Sequence, residues 1–151
     1  MTTERLLVAV FASPVADVLL RWGQELGFRV QVLDPDPARG GGIRAFDELD
    51  GDPADADVVV TDHHRDELGE VLRDALAVGP RWVGVLGNPR HEGPHVAALA
   101  ELGVPPEDVA RVHRPIGLDI GSKAPPEIAL SVLAGLLADR NGRSGGLAHR
   151  A

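Results

Sequence analysis

Leu6-Leu7-Val8-Ala9-Val10-Phe11, running directly into Ala12-Ser13-Pro14, is the stretch that decides the fold. A short unbroken apolar run leaves no alternate position for water, so it reads as a strand buried on both faces. Immediately after it, Val15, Leu19, Trp22 and Leu26 recur at spacings of four, three and four, drawing one apolar stripe along a helix. Ser13 is placed to cap that helix, with Pro14 at its first position, where a missing N–H is no loss, and Gly27 ends it. A buried strand leading into an amphipathic helix opens a parallel β-α-β unit.

The rest of the chain repeats the theme. Residues 28–33 are rich in branched side chains and read as a second strand, closed by Asp34-Pro35-Asp36-Pro37. Residues 38–57, with Gly40-Gly41-Gly42, have no sustained period and are expected to cross the sheet as a loop holding at most a short helix or edge strand. Val58-Val59-Val60 is the third strand, and residues 66–78 place Leu68, Val71, Leu72 and Leu76 at helical spacing. A fourth strand at 82–86 stops at the turn Gly87-Asn88-Pro89. A helix at 91–102 turns Val96, Leu99 and Leu102 inward, and 109–112 is a short fifth strand despite Arg111. The last helix, 125–138, buries Ile128, Val132, Leu133, Leu136 and Leu137, and 141–151 is expected to be a flexible tail. Residues 1–140 are therefore expected to form one α/β domain, a three-layer Rossmann-like parallel sheet of about five strands in the order 3-2-1-4-5.

Composition narrows the function classes. A chain of 151 residues is long enough for one self-sufficient core. No apolar run approaches the roughly 18 residues of a membrane span, and the opening at Met1 to Glu4 lacks the basic flank of a signal peptide, so the expectation is a cytoplasmic protein. The absence of cysteine excludes disulfides, thiolate ligands, a cysteine nucleophile and a persulfide on this chain. A net charge of -8 disfavours nucleic acid as a partner. Much of the acid lies between Asp47 and Glu67, the pattern of a solvated edge or of a surface for a basic partner.

In such a sheet ligands sit beyond the carboxyl ends of the strands. That rim would gather Ser13, Asp34, Thr61, His64, Gly87, Asn88, His113 and the loop to Asp119. Asp34, at the end of the second strand, could accept from ribose hydroxyls or simply cap its own turn. The glycine fingerprint of dinucleotide sites is missing: Phe11-Ala12-Ser13-Pro14-Val15-Ala16 stands where G-x-G-x-x-G would be, and its side chains obstruct the approach of a pyrophosphate. NAD(P) is thus a disfavoured ligand, and an NAD(P)-dependent oxidoreductase or other dinucleotide binder is the second reading. Thr61-Asp62-His63-His64 could hold a metal or exchange a proton, but two adjacent histidines share a site only across a sharp turn. His91-Glu92-Gly93-Pro94-His95 matches H-E-x-x-H letter by letter, yet Gly93-Pro94 sits at a helix start and no third ligand follows, so the match is accidental. In Pro115-Ile116-Gly117-Leu118-Asp119-Ile120-Gly121, two glycines bracket one carboxylate. Asp119 could accept from a heterocycle's N–H groups, bind a water, or fasten its own loop to backbone amides, while His113 and Arg114 could meet phosphate.

The string from Arg111 to Gly121, with Pro125-Pro126-Glu127-Ile128-Ala129, closely resembles the C-terminal Rossmann-like domain of the xanthine dehydrogenase accessory proteins, the XdhC/CoxI family. The resemblance extends through Phe28-Arg29-Val30-Gln31-Val32-Leu33-Asp34, Val58-Val59-Val60-Thr61 with His64, and Trp82-Val83-Gly84-Val85-Leu86-Gly87, and covers most of residues 6–138. It implies a non-catalytic, chaperone-like role in handling the molybdenum cofactor. The partners it implies are a molybdenum hydroxylase apoenzyme, a cysteine desulfurase and a separate N-terminal-type XdhC protein; a homo-oligomer is a further possibility, and a ligand-free interaction scaffold is a third reading. The candidate cofactor-binding residues, gathered at the predicted strand ends, are Ser13, Asp34, Thr61, His64, Gly87, Asn88, Arg90, His113, Gly117, Asp119 and Gly121. Two turns depart from the family pattern. Phe11, Ser13 and Pro14 replace a glycine-rich turn followed by histidine, and Asn88-Pro89-Arg90 replaces serine-arginine-arginine, leaving Arg90 alone to supply positive charge there.

Overall fold

The computed structural model, which describes residues 4–87 and 93–146, has one parallel sheet built from β1 (Leu6–Val10), β2 (Arg29–Leu33), β3 (Ala56–Val60), β4 (Trp82–Val85) and β5 (Val112–His113). The helices between and after them are α1 (Pro14–Glu25), α2 (Leu68–Val78), α3 (Pro94–Glu101), the single turn α4 (Pro106–Val109) and α5 (Pro125–Arg140). Successive residues of a strand point to opposite faces, so β1 feeds two cores. Leu6, Val8 and Val10 join Leu68, Leu72 and Leu76 of α2 and Leu99 of α3, whereas Leu7 joins Val18 and Leu19 of α1 and Val132, Leu133 and Leu136 of α5. The three-layer α/β architecture follows from that alternation, with about 1.5–3 kcal/mol for each large side chain fully removed from water.

The strand order is 2-1-3-4-5, not the expected 3-2-1-4-5. β3 lies against β1, pairing Val10 with Val60, and its five residues are all buried. Such a strand needs a neighbour on each side. β2 carries Arg29 and Gln31, is only partly buried, and sits at the edge. Its outer side is taken by the loop, where Ile43 donates to Val32 O at 2.9 Å and accepts from Asp34 N at 3.0 Å. The change of direction therefore falls between β1 and β3, bringing the turn after each into one crevice. The fifth strand is also displaced: Val109 closes α4, and pairing begins only at Val112. α3 begins at Pro94 instead of 91, and residues 88–92 of the expected turn and helix start lie outside the described residues, as does 147–151 of the expected tail.

At the opposite end of the sheet an ionic knot ties α5 down. Asp57, fully buried at the start of β3, accepts from Arg81 Nε at 2.6 Å and from Arg140 Nε at 2.8 Å. Arg140 also donates to Asp55 O at 2.8 Å, and Arg81 reaches Asp139 at 2.6 Å.

Candidate functional site

The crevice between β1 and β3 is built from the two turns that leave those strands. Ser13 caps α1 by accepting from Ala16 N at 3.1 Å, and its Oγ lies 2.9 Å from Thr61 Oγ1. Thr61 Oγ1 is also 3.0 Å from Val10 O and 2.9 Å from Phe11 O, so its single proton is shared among these acceptors. Phe11 has a φ of +74°, in the left-handed region where bulky side chains are rare. Three contacts hold it there. Its N–H donates to Leu33 O at 2.8 Å, its carbonyl faces Thr61, and its buried ring lies 4.3 Å below the Arg65 guanidinium.

Asp34 is the hub of this corner. It is 1% exposed, and its two oxygens accept from Ala12 N, Asp36 N, and Arg65 Nη1 and Nη2, at 2.8–3.0 Å. Burial pushes the carboxyl up, but the Arg65 hydrogen bonds and then the Asp36 and Ala12 amides outweigh it and hold the group at about 2. Two carboxylate oxygens offer about four lone-pair sites, and all are filled. In this arrangement Asp34 fastens the turn after β1 to the end of β2, with no acceptor left for a ribose. Arg65, absent from the residues singled out in the sequence, makes this possible; it also bonds Glu67 at 2.7 Å. Its only sequence signal is to be a lone cation within Asp62, Asp66 and Glu67.

Across the crevice the rim turns basic. Asp62 Oδ1 accepts from His64 N at 2.8 Å, making the sharp turn that adjacent histidines require, and the His63 and His64 rings meet at a tilt of 42° with centroids 4.0 Å apart. His63 Nδ1 donates to Leu86 O at 3.0 Å, since a carbonyl can only accept. Burial, then His64 and Arg114, lower the His63 pKa, against the opposing pull of its Leu86 hydrogen bond and of Asp62. Among the described residues no group of three or more His, Asp or Glu side chains is arranged to hold a metal ion. Gly87 leaves room for protein, not ligand: a Cβ there would fall 2.2 Å from Arg114 Nε. His113 is exposed and stacks on Trp82 at 5.1 Å. Asn88 and Arg90 lie outside the described residues.

The loop 115–121 is fastened from the other side. Ser131 of α5 bonds both Leu118 N and Leu118 O. Gly117, with φ +88°, lies so close to α5 that a Cβ would come within 2.6 Å of Ser131 Oγ. Asp119 is exposed and makes no hydrogen bond among the described residues, so loop fastening falls to Ser131 and Asp119 stays open to solvent. Gly121, φ +66°, has open space around it. The structure thus brings Ser13, Thr61 and Asp34 together, sets His64 beyond them, and holds Asp119 apart on an outer loop.

A family model described as the XdhC Rossmann domain matches residues 7–136, from the first strand to the last helix. The chain belongs to the XdhC Rossmann domain family. YqeB of Escherichia coli K12, an uncharacterized protein, is 36% identical over 104 residues, 68% of this chain and 18% of its own length. A Bacillus halodurans protein whose crystal structure is described as a xanthine dehydrogenase superposes with a TM-score of 0.72 at 23% identity, over 92% of this chain and 45% of that one. The chain thus spans less than half the length of either relative. In this XdhC Rossmann domain the first turn is built around Phe11 and Arg65, and no helix among the described residues is long and apolar enough to cross a membrane.

Proposed function

We propose that the chain is the Rossmann part of an accessory factor for a xanthine dehydrogenase-type enzyme, and that its cargo is the molybdenum–pterin cofactor. The family match spanning the whole sheet carries this reading. The rim supports it: His63, His64 and Arg114 gather positive and protonatable groups near the Ser13–Thr61 crevice, suited to an anionic heterocycle. The role is delivery and not chemistry, with the client apoenzyme docking at the rim and a cysteine desulfurase or an N-terminal-type XdhC protein completing the assembly. The test is reconstitution. Molybdenum-free xanthine dehydrogenase-type apoenzyme is incubated with intact cofactor, with and without this protein. A higher yield of active enzyme in its presence supports the reading; equal yields, with no heat of cofactor binding by calorimetry, overturn it.

A further inference from the structure

The loop 115–121 holds apolar side chains in water at a fixed place. Ser131 bonds both backbone groups of Leu118, and Gly117 lies against α5, where an added Cβ would stand 3.3 Å from Val132 N. The backbone is thus clamped, yet Leu118 is 38% exposed and Ile120 48%. Leu130, which precedes Ser131 on α5, is 57% exposed. Among the described residues six large apolar side chains are exposed, and these three belong to the clamp and its immediate neighbours. From Ile128 to Leu137, α5 is apolar apart from Ser131 and Gly135. A helix apolar all round is normally covered on both sides, whereas α1 and the sheet cover one side of α5. Between Leu118 and Ile120, Asp119 is exposed and makes no hydrogen bond or ion pair among the described residues, even with the exposed Lys123 four positions on.

We propose that Leu118, Ile120 and Leu130, with Asp119 among them, form the surface on which the client apoenzyme docks, through an arginine or lysine set between apolar side chains of its own. This rests on the accessory role proposed above and names where, and by what chemistry, the client is held.

The carboxylate decides the kind of partner. An isologous contact between two copies presents the same patch twice, so two Asp119 carboxylates would share one small apolar contact between chains of net charge -8 each. A cation in that place pairs with Asp119 instead, and the surrounding apolar side chains exclude water from the pair. The clamp adds to affinity, because a loop already ordered by Ser131 and Gly117 loses little freedom when the partner binds.

The experiment is calorimetric titration of molybdenum-free xanthine dehydrogenase-type apoenzyme with the full chain at two ionic strengths, with cofactor binding measured in parallel. A saturable complex is expected. Ile120→Ser and Leu130→Ser, at exposed positions that folding does not need, should each weaken it about tenfold while cofactor binding and the urea midpoint stay unchanged. Asp119→Asn should weaken it about fivefold and flatten its salt dependence, and Asp119→Lys should weaken it further. Leu26→Ser, an exposed apolar residue outside the patch, should leave the affinity as it is. The surface is overturned by the absence of a complex, by parent-like affinity in Ile120→Ser and Leu130→Ser, or by an equal loss in Leu26→Ser. A dimer of the parent in sedimentation equilibrium that Ile120→Ser abolishes assigns the patch to a second copy and overturns it too. A parent that raises the reconstitution yield while the two serine variants bind apoenzyme normally removes this surface and leaves the accessory reading. A parent that binds apoenzyme through the patch but takes up no cofactor supports the surface and removes the cargo.

Discussion

Phe11 is the residue at which two demands on one position conflict. Its φ of +74° suits glycine, yet its ring is fully buried beneath Arg65. Removing a buried phenyl ring costs about 3–5 kcal/mol, while relief of the left-handed conformation returns only about 1–2. Packing wins, so Phe11→Gly should be less stable than the parent, and Phe11→Ala, which loses the ring and keeps the strain, less stable still by about 1 kcal/mol; urea midpoints of the three proteins give the order. Asp34 supplies a pH signature. Its folded pKa of about 2 lies below the unfolded value near 3.9, so its contribution is complete above about pH 4 and is lost as pH falls toward 2. The loss should be about 2 kcal/mol, and urea titrations across that window should show it in the parent protein and not in Asp34→Asn. The acidic residue at the strand end was legible in the sequence. Its partner was not, because Arg65 lies 31 positions away and only the fold sets the two side by side.

At the scale of elements, the strand–helix alternation was readable because buried strands and amphipathic helices impose different periods on the same residue types. The loop 115–121 was visible as an aperiodic, glycine-bracketed segment, but its attachment was not. Asp119 drew notice as the lone carboxylate, whereas a serine on the following helix does the fastening. Ser131→Ala should leave Leu118 N and O without their partner, lowering stability by about 1–3 kcal/mol. Amide hydrogen exchange at Leu118 should quicken, while exchange in β1 tracks only the global change. Unchanged protection at Leu118 would refute this anchoring. Helix spacing identified α3, but not that Arg114, beyond the next turn and strand, packs against its start at Gly93.

For the whole molecule, the sheet is closed at one end by the Asp57 knot, and the crevice between the turns after β1 and β3 lies at the other. Asp57→Ala should cost about 3–5 kcal/mol, because Arg81 and Arg140 lose the carboxylate that neutralises them inside the fold. Thermal unfolding monitored by circular dichroism measures that loss, and a change within 1 kcal/mol of the parent would show the knot to be incidental. The strand order belongs to this scale as well. Residues 38–57 lack a helical period, so nothing local says on which side of β1 the chain returns. Full burial of β3 against the half-exposed Arg29 and Gln31 of β2 decides it.

The sequence by itself determined the α/β class, the extent of the elements to within a few residues, the family, and the absence of thiol chemistry. All of these are written in local periodicity, composition and contiguous motifs. Tertiary structure alone decided the position of β3, the saturation of Asp34 by Arg65, the tilted contact of His63 with His64, and the meeting of His95 with Arg114 at the head of α3. Each joins groups from different elements or bends the backbone out of its local pattern, and side-chain spacing along a chain carries no record of that.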